Sequence, residues 1–143
     1  MTKYLVVDAS FAIRLVTPHT QRDFFKNLSD RWFADGIILS APSLWLYEVT
    51  SVTTKLVRFG EFTDLQGRNL LKLLQNMGIE LFEMDESLIE KAFEWTIQLN
   101  RAAAYDSFYL ALAEKLNCDF WTADQRLVNA VNQPWVKLAT PQS

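Results

Sequence analysis

Two hydrophobic spacings alternate along the chain, one of strands and one of helices. Tyr4-Leu5-Val6-Val7 is a continuous β-rich run ending in Asp8, the pattern of a strand buried on both faces of a parallel sheet. Ala9 to Val16 then reads as a helix, and Pro18 ends it. From His19 to Asp35 the residues Phe24, Phe25, Leu28, Trp32 and Phe33 fall at helical spacing, with Gly36 as the stop. Ile37 to Ser40 is a second short strand. Pro42 suits the opening of a helix that runs on to Arg58, with Gly60 just beyond it.

Thr63 to Gln66 has the spacing of a capping box and starts a helix that stops near Gly78. Ile79 to Met84 alternates as a strand does, and Asp85 or Ser87 caps a helix ending around Asn100. Ala102 to Glu114 is uninterrupted by Gly or Pro and rich in strong helix formers. Its Tyr105, Phe108, Tyr109, Leu112 and Ala113, continued by Leu116, recur at three- and four-residue steps, which predicts a helix apolar around most of its girth and buried. Asp119 to Thr122 is a strand, Asp124 to Asn132 a short helix, and Trp135 to Leu138 an edge strand. Strands alternating with helices predict an α/β fold with a largely parallel sheet.

Composition narrows this picture. The 143 residues show no repeat or linker, so one domain spanning 1–143 is expected, and half of them are hydrophobic, enough for a real core. No apolar run is long enough for a membrane span, and Met1-Thr2-Lys3 leads straight into a strand without a signal peptide. The expectation is a cytoplasmic protein. Cys118 is the only cysteine, which excludes an internal disulfide and a thiolate metal site. The net charge of −3 comes with no basic tail, a balance that by itself weighs against nucleic-acid binding.

Four acids lack an obvious reason. Asp8 and Asp124 stand just past the carboxyl ends of two apolar strands, the edge where open parallel sheets bind ligands. Each also precedes a helix and serves equally as an N-cap. Glu48 lies among Leu44, Trp45, Ser51 and Val52, with no basic residue within one turn. Burying an unpaired carboxylate costs several kcal/mol, roughly, so Glu48 needs a cation or a proton. Asp106 has no Lys or Arg three or four residues away; its alternative role is to complement the positive end of a helix dipole.

If the four converge, carboxylates about 6 Å apart repel by roughly 3 kcal/mol per pair at an effective dielectric near 20. Such a cluster stays ionised only around a cation, and hard oxygen ligands select Mg²⁺ or Mn²⁺. Metal-dependent phosphodiester hydrolysis is the natural chemistry. Other chemistries lose ground: His19 is the lone histidine, and the four glycines are too scattered for a phosphate-cradling loop. A phosphoaspartate site would want a second acid beside Asp8, which is missing.

The V-V-D-A-S start, the Glu48 helix, A-Y-D-S-F-Y-L-A-L-A-E and the W-T-A-D that ends at Asp124 occur in an order that resembles the PIN-domain ribonucleases. The likeness is greatest to the VapC-like toxins of prokaryotic toxin–antitoxin pairs, and it spans nearly the whole chain. The resemblance implies a single PIN-like domain, a central parallel sheet with helices on both sides, and endoribonuclease activity dependent on one or two Mg²⁺ or Mn²⁺ ions. Carried across, Asp8, Glu48, Asp106 and Asp124 become catalytic metal ligands, with Ser10 and Thr122 as polar helpers. Both hydroxyls serve equally as helix-start and strand-end groups. An antitoxin protein, a second copy of the chain and an RNA substrate are the implied partners. A stand-alone RNA-processing nuclease and a non-catalytic PIN-like binding module are the alternatives.

Gln125-Arg126-Leu127 follows Asp124 where many relatives carry a further acid, which leaves a second metal position open. Arg126 is either a phosphate contact or a solvated helix residue. Setting the four ligands aside leaves thirteen acids against fourteen basic residues, so an occupied site would not repel RNA strongly. Arg14, Lys55, Arg58 and Arg126 are the candidates for a basic rim. Phe24, Phe25, Trp32 and Trp45 are expected chiefly in the core, some of them alternatively lining a groove for an antitoxin helix or a second copy.

Overall fold

Val6 and Val7 are fully buried because their strand is the middle one of five. The computed structural model describes residues 2–17, 19–101 and 104–140. Strand β1 (Lys3–Val7) pairs in parallel with β2 (Ile37–Pro42) on one side and β4 (Phe120–Thr122) on the other. β3 (Glu80–Phe82) extends the sheet beyond β2, and β5 (Val136–Leu138) extends it beyond β4. All the pairings are parallel, in the order β3-β2-β1-β4-β5.

The pleat of β1 divides the core. Val6 faces a cluster with Trp45, Tyr109, Leu110, Leu112, Phe120 and Leu127. Leu5 and Val7 face the opposite cluster, with Phe11, Phe25 and Trp32. That alternation puts helices on both faces of the sheet. Helix α2 (Arg22–Ala34) covers the Val7 face, and α1 (Ala9–Val16) bridges the two faces, with Phe11 in the Val7-side cluster and Ala9 and Ala12 in the Val6-side one. The Val6 face is covered by α3 (Leu44–Arg58), α4 (Asp64–Gln75), α6 (Tyr105–Leu116) and α7 (Gln125–Val131), while α5 (Glu86–Gln98) packs mainly on α6.

The local signals operate as their chemistry requires. Thr63 and Gln66 form a reciprocal capping box at α4. Asp85, not Ser87, caps α5 through the Leu88 amide at 2.8 Å. Phe25, Trp32 and Trp45 are buried, the first two on one face of the sheet and Trp45 on the other, and Phe24 packs partly buried against Phe25, so these four rings belong to the core. Several boundaries differ from expectation. Pro42 closes β2, paired with Phe82, rather than opening α3; it lies beyond the pairing with β1, where its missing N–H breaks no ladder. Residues 19–21 form a turn instead of helix, because both nitrogens of the exposed His19 ring are engaged, with the Arg14 carbonyl and the Gln21 amide. Tyr105 is 60% exposed, since burial of α6 begins only at Ser107. Pro18 and the Ala102–Ala103 start of the expected helix lie outside the described residues.

Gly67 sets the approach of α4 to α3. A Cβ added there would stand 2.6 Å from the Val57 methyl Cγ2, closer than side chains tolerate. Gly67→Val should therefore destabilise the fold by about 1–3 kcal/mol through overpacking, measured by urea unfolding. A variant as stable as wild type would mean that the two helices are free to move apart.

Candidate active site

Three strands deliver acids to the same edge of the sheet. β1 ends at Val7, and Asp8 turns the chain into α1 as its N-cap. Its Oδ1 accepts from the Phe11 amide at 3.0 Å and from the Ser10 hydroxyl at 2.6 Å. Val7 pairs with Trp121 across the sheet, so Thr122 comes alongside Asp8 and its hydroxyl donates to Oδ2. The Thr122 hydroxyl oxygen in turn accepts from the Asp124 amide at 3.1 Å. Asp124 is the N-cap of α7, its Oδ1 accepting from the Leu127 amide at 3.2 Å. Capping and membership of an acidic site are thus compatible at both positions, for a cap engages only part of a carboxylate.

Glu48 arrives from α3, the helix that follows β2, and Asp106 sits in the first turn of α6. The phenol of Tyr109 donates to Glu48 Oε1, and Arg101 Nη1 lies 3.3 Å from Asp106 Oδ2. Asp8, Glu48, Asp106 and Asp124 together line one cleft of about 340 Å³, with Ser10, Ile13, Arg14, Val52 and Tyr109. Thr122 is buried beneath Asp8 and reaches the cleft only through it. Arg126 is exposed and does not line the cleft, nor does Lys55. Arg58 lines a different groove, between α3 and α4. Of the four expected rim cations only Arg14 is present at the site.

Burial pushes the Asp8 carboxyl above its ordinary value, and the charge of Asp106 adds to this, while hydrogen bonds from Ser10, Thr122 and the Phe11 amide oppose it. Glu48 is also raised by burial, with Asp106 and Asp8 adding to the shift and the Tyr109 hydrogen bond opposing it. Asp106 is raised by burial and by Asp124, against the pull of Arg101. Asp8 and Glu48 therefore feel the charge of Asp106, and Asp106 feels that of Asp124. Burial and the Glu48 charge raise the Tyr109 phenol, so it stays a proton donor.

Among the described residues no three His, Cys, Asp or Glu side chains are gathered tightly enough to enclose an ion by themselves. The acids face the cleft from separate walls. Their donors are oxygens only, the set that suits a hard divalent cation, and their mutual repulsion is what such an ion would relieve.

Two members of the site escape a reading by spacing. Arg101 is five residues before Asp106 and outside α6, so helical neighbours at three or four residues do not include it. Tyr109 fits the buried stripe of α6 and reads as core, although its spacing of three from Asp106 already puts it on that acid's face.

A family model described as PIN domain matches residues 5–132. Ribonuclease VapC9 of Mycobacterium tuberculosis is 34% identical over 123 residues, which cover 86% of this chain and 87% of that protein. A toxin–antitoxin complex from Klebsiella pneumoniae matches with a TM-score of 0.70 at 13% identity, over 95% of this chain and 98% of the other. VapBC2 from Rickettsia felis, solved with a DNA fragment from its promoter, has a TM-score of 0.70 at 13% identity, covering 94% and 96%. At such identities the two structures are evidence of the fold alone.

Because Asp8, Glu48 and Asp106 are all raised, the folded protein binds protons at a higher pH than the unfolded chain. Stability contributed by these groups is then lost as pH rises through their folded values and regained as pH falls toward the ordinary carboxylate range. In EDTA, the Asp106→Asn protein should melt at or above wild type at about pH 7.5, and that margin should shrink toward about pH 5.5. A variant that melts well below wild type at neutral pH would make Asp106 a structural acid.

Proposed function

The chain belongs to the PIN domain family, and from that membership we propose that it is a divalent-metal-dependent endoribonuclease, the toxin of a toxin–antitoxin pair. The observation that carries the reading is the convergence of Asp8, Glu48, Asp106 and Asp124 on one cleft at the carboxyl edge of the sheet. The name of the VapC9 relative, a ribonuclease, supports the activity. The likeness to the toxin–antitoxin complex from Klebsiella pneumoniae supports an antitoxin partner.

Asp8, Glu48, Asp106 and Asp124 would hold Mg²⁺ or Mn²⁺. Bound there, the ion would supply positive charge against phosphoryl oxygens and acidify a water molecule. The protein's own part is orientation. Ser10, Thr122 and the Phe11 amide fix both oxygens of Asp8, and the Leu127 amide fixes one oxygen of Asp124. Glu48 Oε2, Asp106 Oδ1 and Asp124 Oδ2 accept no hydrogen bond from the described residues and are available to the cleft. Gln125 in place of a further acid favours a single ion over two. Arg14 lines the cleft, which supports a contact with an RNA phosphate; Arg126, exposed two residues after Asp124, does not line it and is the weaker candidate.

Ile89, Phe93 and Ile97 form an exposed apolar stripe along α5, the kind of surface that an antitoxin or a second copy of the chain covers. None of the described helices is long and apolar enough to cross a membrane, and RNA and antitoxin would both be met in the cytoplasm.

The test is an RNA cleavage assay with and without Mn²⁺. Asp8→Asn, Glu48→Gln, Asp106→Asn and Asp124→Asn should each lower the rate by about 100-fold or more while the circular dichroism spectrum stays native. Full activity in any two of them would remove the quartet from the mechanism. Arg14→Ala should weaken RNA binding and reduce the salt slope of log K by about 0.7, whereas Arg126→Ala should leave that slope unchanged. Expression alone should arrest bacterial growth, and co-expression of the neighbouring gene's product should relieve the arrest. An active nuclease that is harmless when expressed would be a stand-alone processing enzyme.

A further inference from the structure

Glu48 differs from the other three acids in how it is held. Asp8 and Asp124 are helix caps, oriented by backbone amides, and Asp106 has the Arg101 guanidinium beside it. Glu48 lies inside α3 and caps no helix, and its carboxylate ends a longer side chain with more rotatable bonds than an aspartate. No Lys, Arg or His lies within one turn of it along the helix. Moreover α3 packs chiefly on α4 and α1, and α6 chiefly on α5, so the two helices that carry Glu48 and Asp106 are not each other's main support.

Among the described residues, one side-chain hydrogen bond joins the two helices. The Tyr109 hydroxyl lies 2.5 Å from Glu48 Oε1, between residues 61 positions apart. The ring behind it cannot shift: Tyr109 is 1% exposed and stacks on the fully buried Phe120 of β4, with centroids 5.7 Å apart and planes 14° from parallel. Tyr109 thus presents a packed, buried donor to the end of a longer side chain. Tyr109 is itself one of the residues that line the cleft. By holding Oε1, it leaves Oε2 without a hydrogen bond from the described residues and so free for a ligand.

We propose that Tyr109 is a positioning residue for Glu48, setting where that carboxylate stands in the cleft and thereby the affinity of the site for its divalent cation. The proposal rests on the nuclease reading given above. It assigns Tyr109 no contact with the ion or the substrate. Partners of this kind, one shell out from a ligand, are worth about 10- to 100-fold in metal affinity.

The test uses Tyr109→Phe, which removes one oxygen and keeps the stacked ring. Mn²⁺ binding to metal-stripped protein, measured by titration calorimetry, should weaken by about 10- to 100-fold. At fixed Mn²⁺, kcat should fall while KM for RNA stays put, and added Mn²⁺ should restore part of kcat. In the Glu48→Gln background the same substitution should leave Mn²⁺ affinity unchanged, because the group it positions is gone. Wild-type affinity in Tyr109→Phe overturns the proposal. So does an equal loss of affinity in both backgrounds, which would mean that the phenol acts through the fold. If Tyr109→Phe fails to fold, Glu48→Asp replaces it, drawing the carboxylate back from the phenol while keeping the charge; wild-type Mn²⁺ affinity there overturns the proposal equally. A wild-type protein that neither binds Mn²⁺ nor cuts RNA removes the nuclease reading itself. One that does both, with Tyr109→Phe unaltered, removes only the role of Tyr109.

Discussion

Asp8 is held from three directions at the point where β1 gives way to α1, and the rest of the site is arranged around that fixation. The Phe11 amide ties it to its own helix, Ser10 to the first turn, and Thr122 to the neighbouring strand. Thr122 then reaches on to the Asp124 amide, so two acids 116 positions apart in sequence share one hydrogen-bonded unit. The arrangement depends on β1 and β4 being parallel neighbours, which makes both strands end at the same edge. An antiparallel pairing would have sent one acid to the far side of the molecule.

Electrostatically this edge works against the fold. Burial and mutual repulsion raise Asp8, Glu48 and Asp106, and the hydrogen bonds of Ser10, Thr122 and Tyr109 and the charge of Arg101 only partly offset them. A stability optimum would have placed apolar side chains there, as replacing buried ionic groups with well-packed hydrophobic ones is often neutral or stabilising. Strain of this sort belongs where a ligand relieves it. The same balance answers the objection from net charge. A chain of −3 would repel RNA mainly through four uncompensated carboxylates at one cleft, and on the reading proposed above a divalent ion among them would change the local field far more than the global count suggests.

Much of this was legible in the order of residues. Strand and helix periods place every element of the sheet within a few positions, and the caps at Asp8, Thr63, Asp85 and Asp124 depend on atoms no more than three residues away. The isolation of Glu48 and Asp106 from local cations is also a short-range fact, and it marked them before any fold was known. Short-range physics writes itself into the sequence.

Tertiary structure alone decided the partners. That Tyr109 belongs to Glu48 rather than only to the core follows from how α3 and α6 are stationed on the sheet, across 61 residues. Arg101 meets Asp106 through a loop conformation that has no period to read. Arg14 lines the cleft and Arg126 does not, although both are arginines shortly after a capping acid, because α1 runs along the cleft wall whereas α7 meets it only at its cap, Asp124. Pro42 ends a strand instead of opening a helix because β3 extends past the pairing with β1. In each case the deciding contact joins segments whose proximity is set by strand order, and strand order is a property of the whole chain's packing rather than of any window along it.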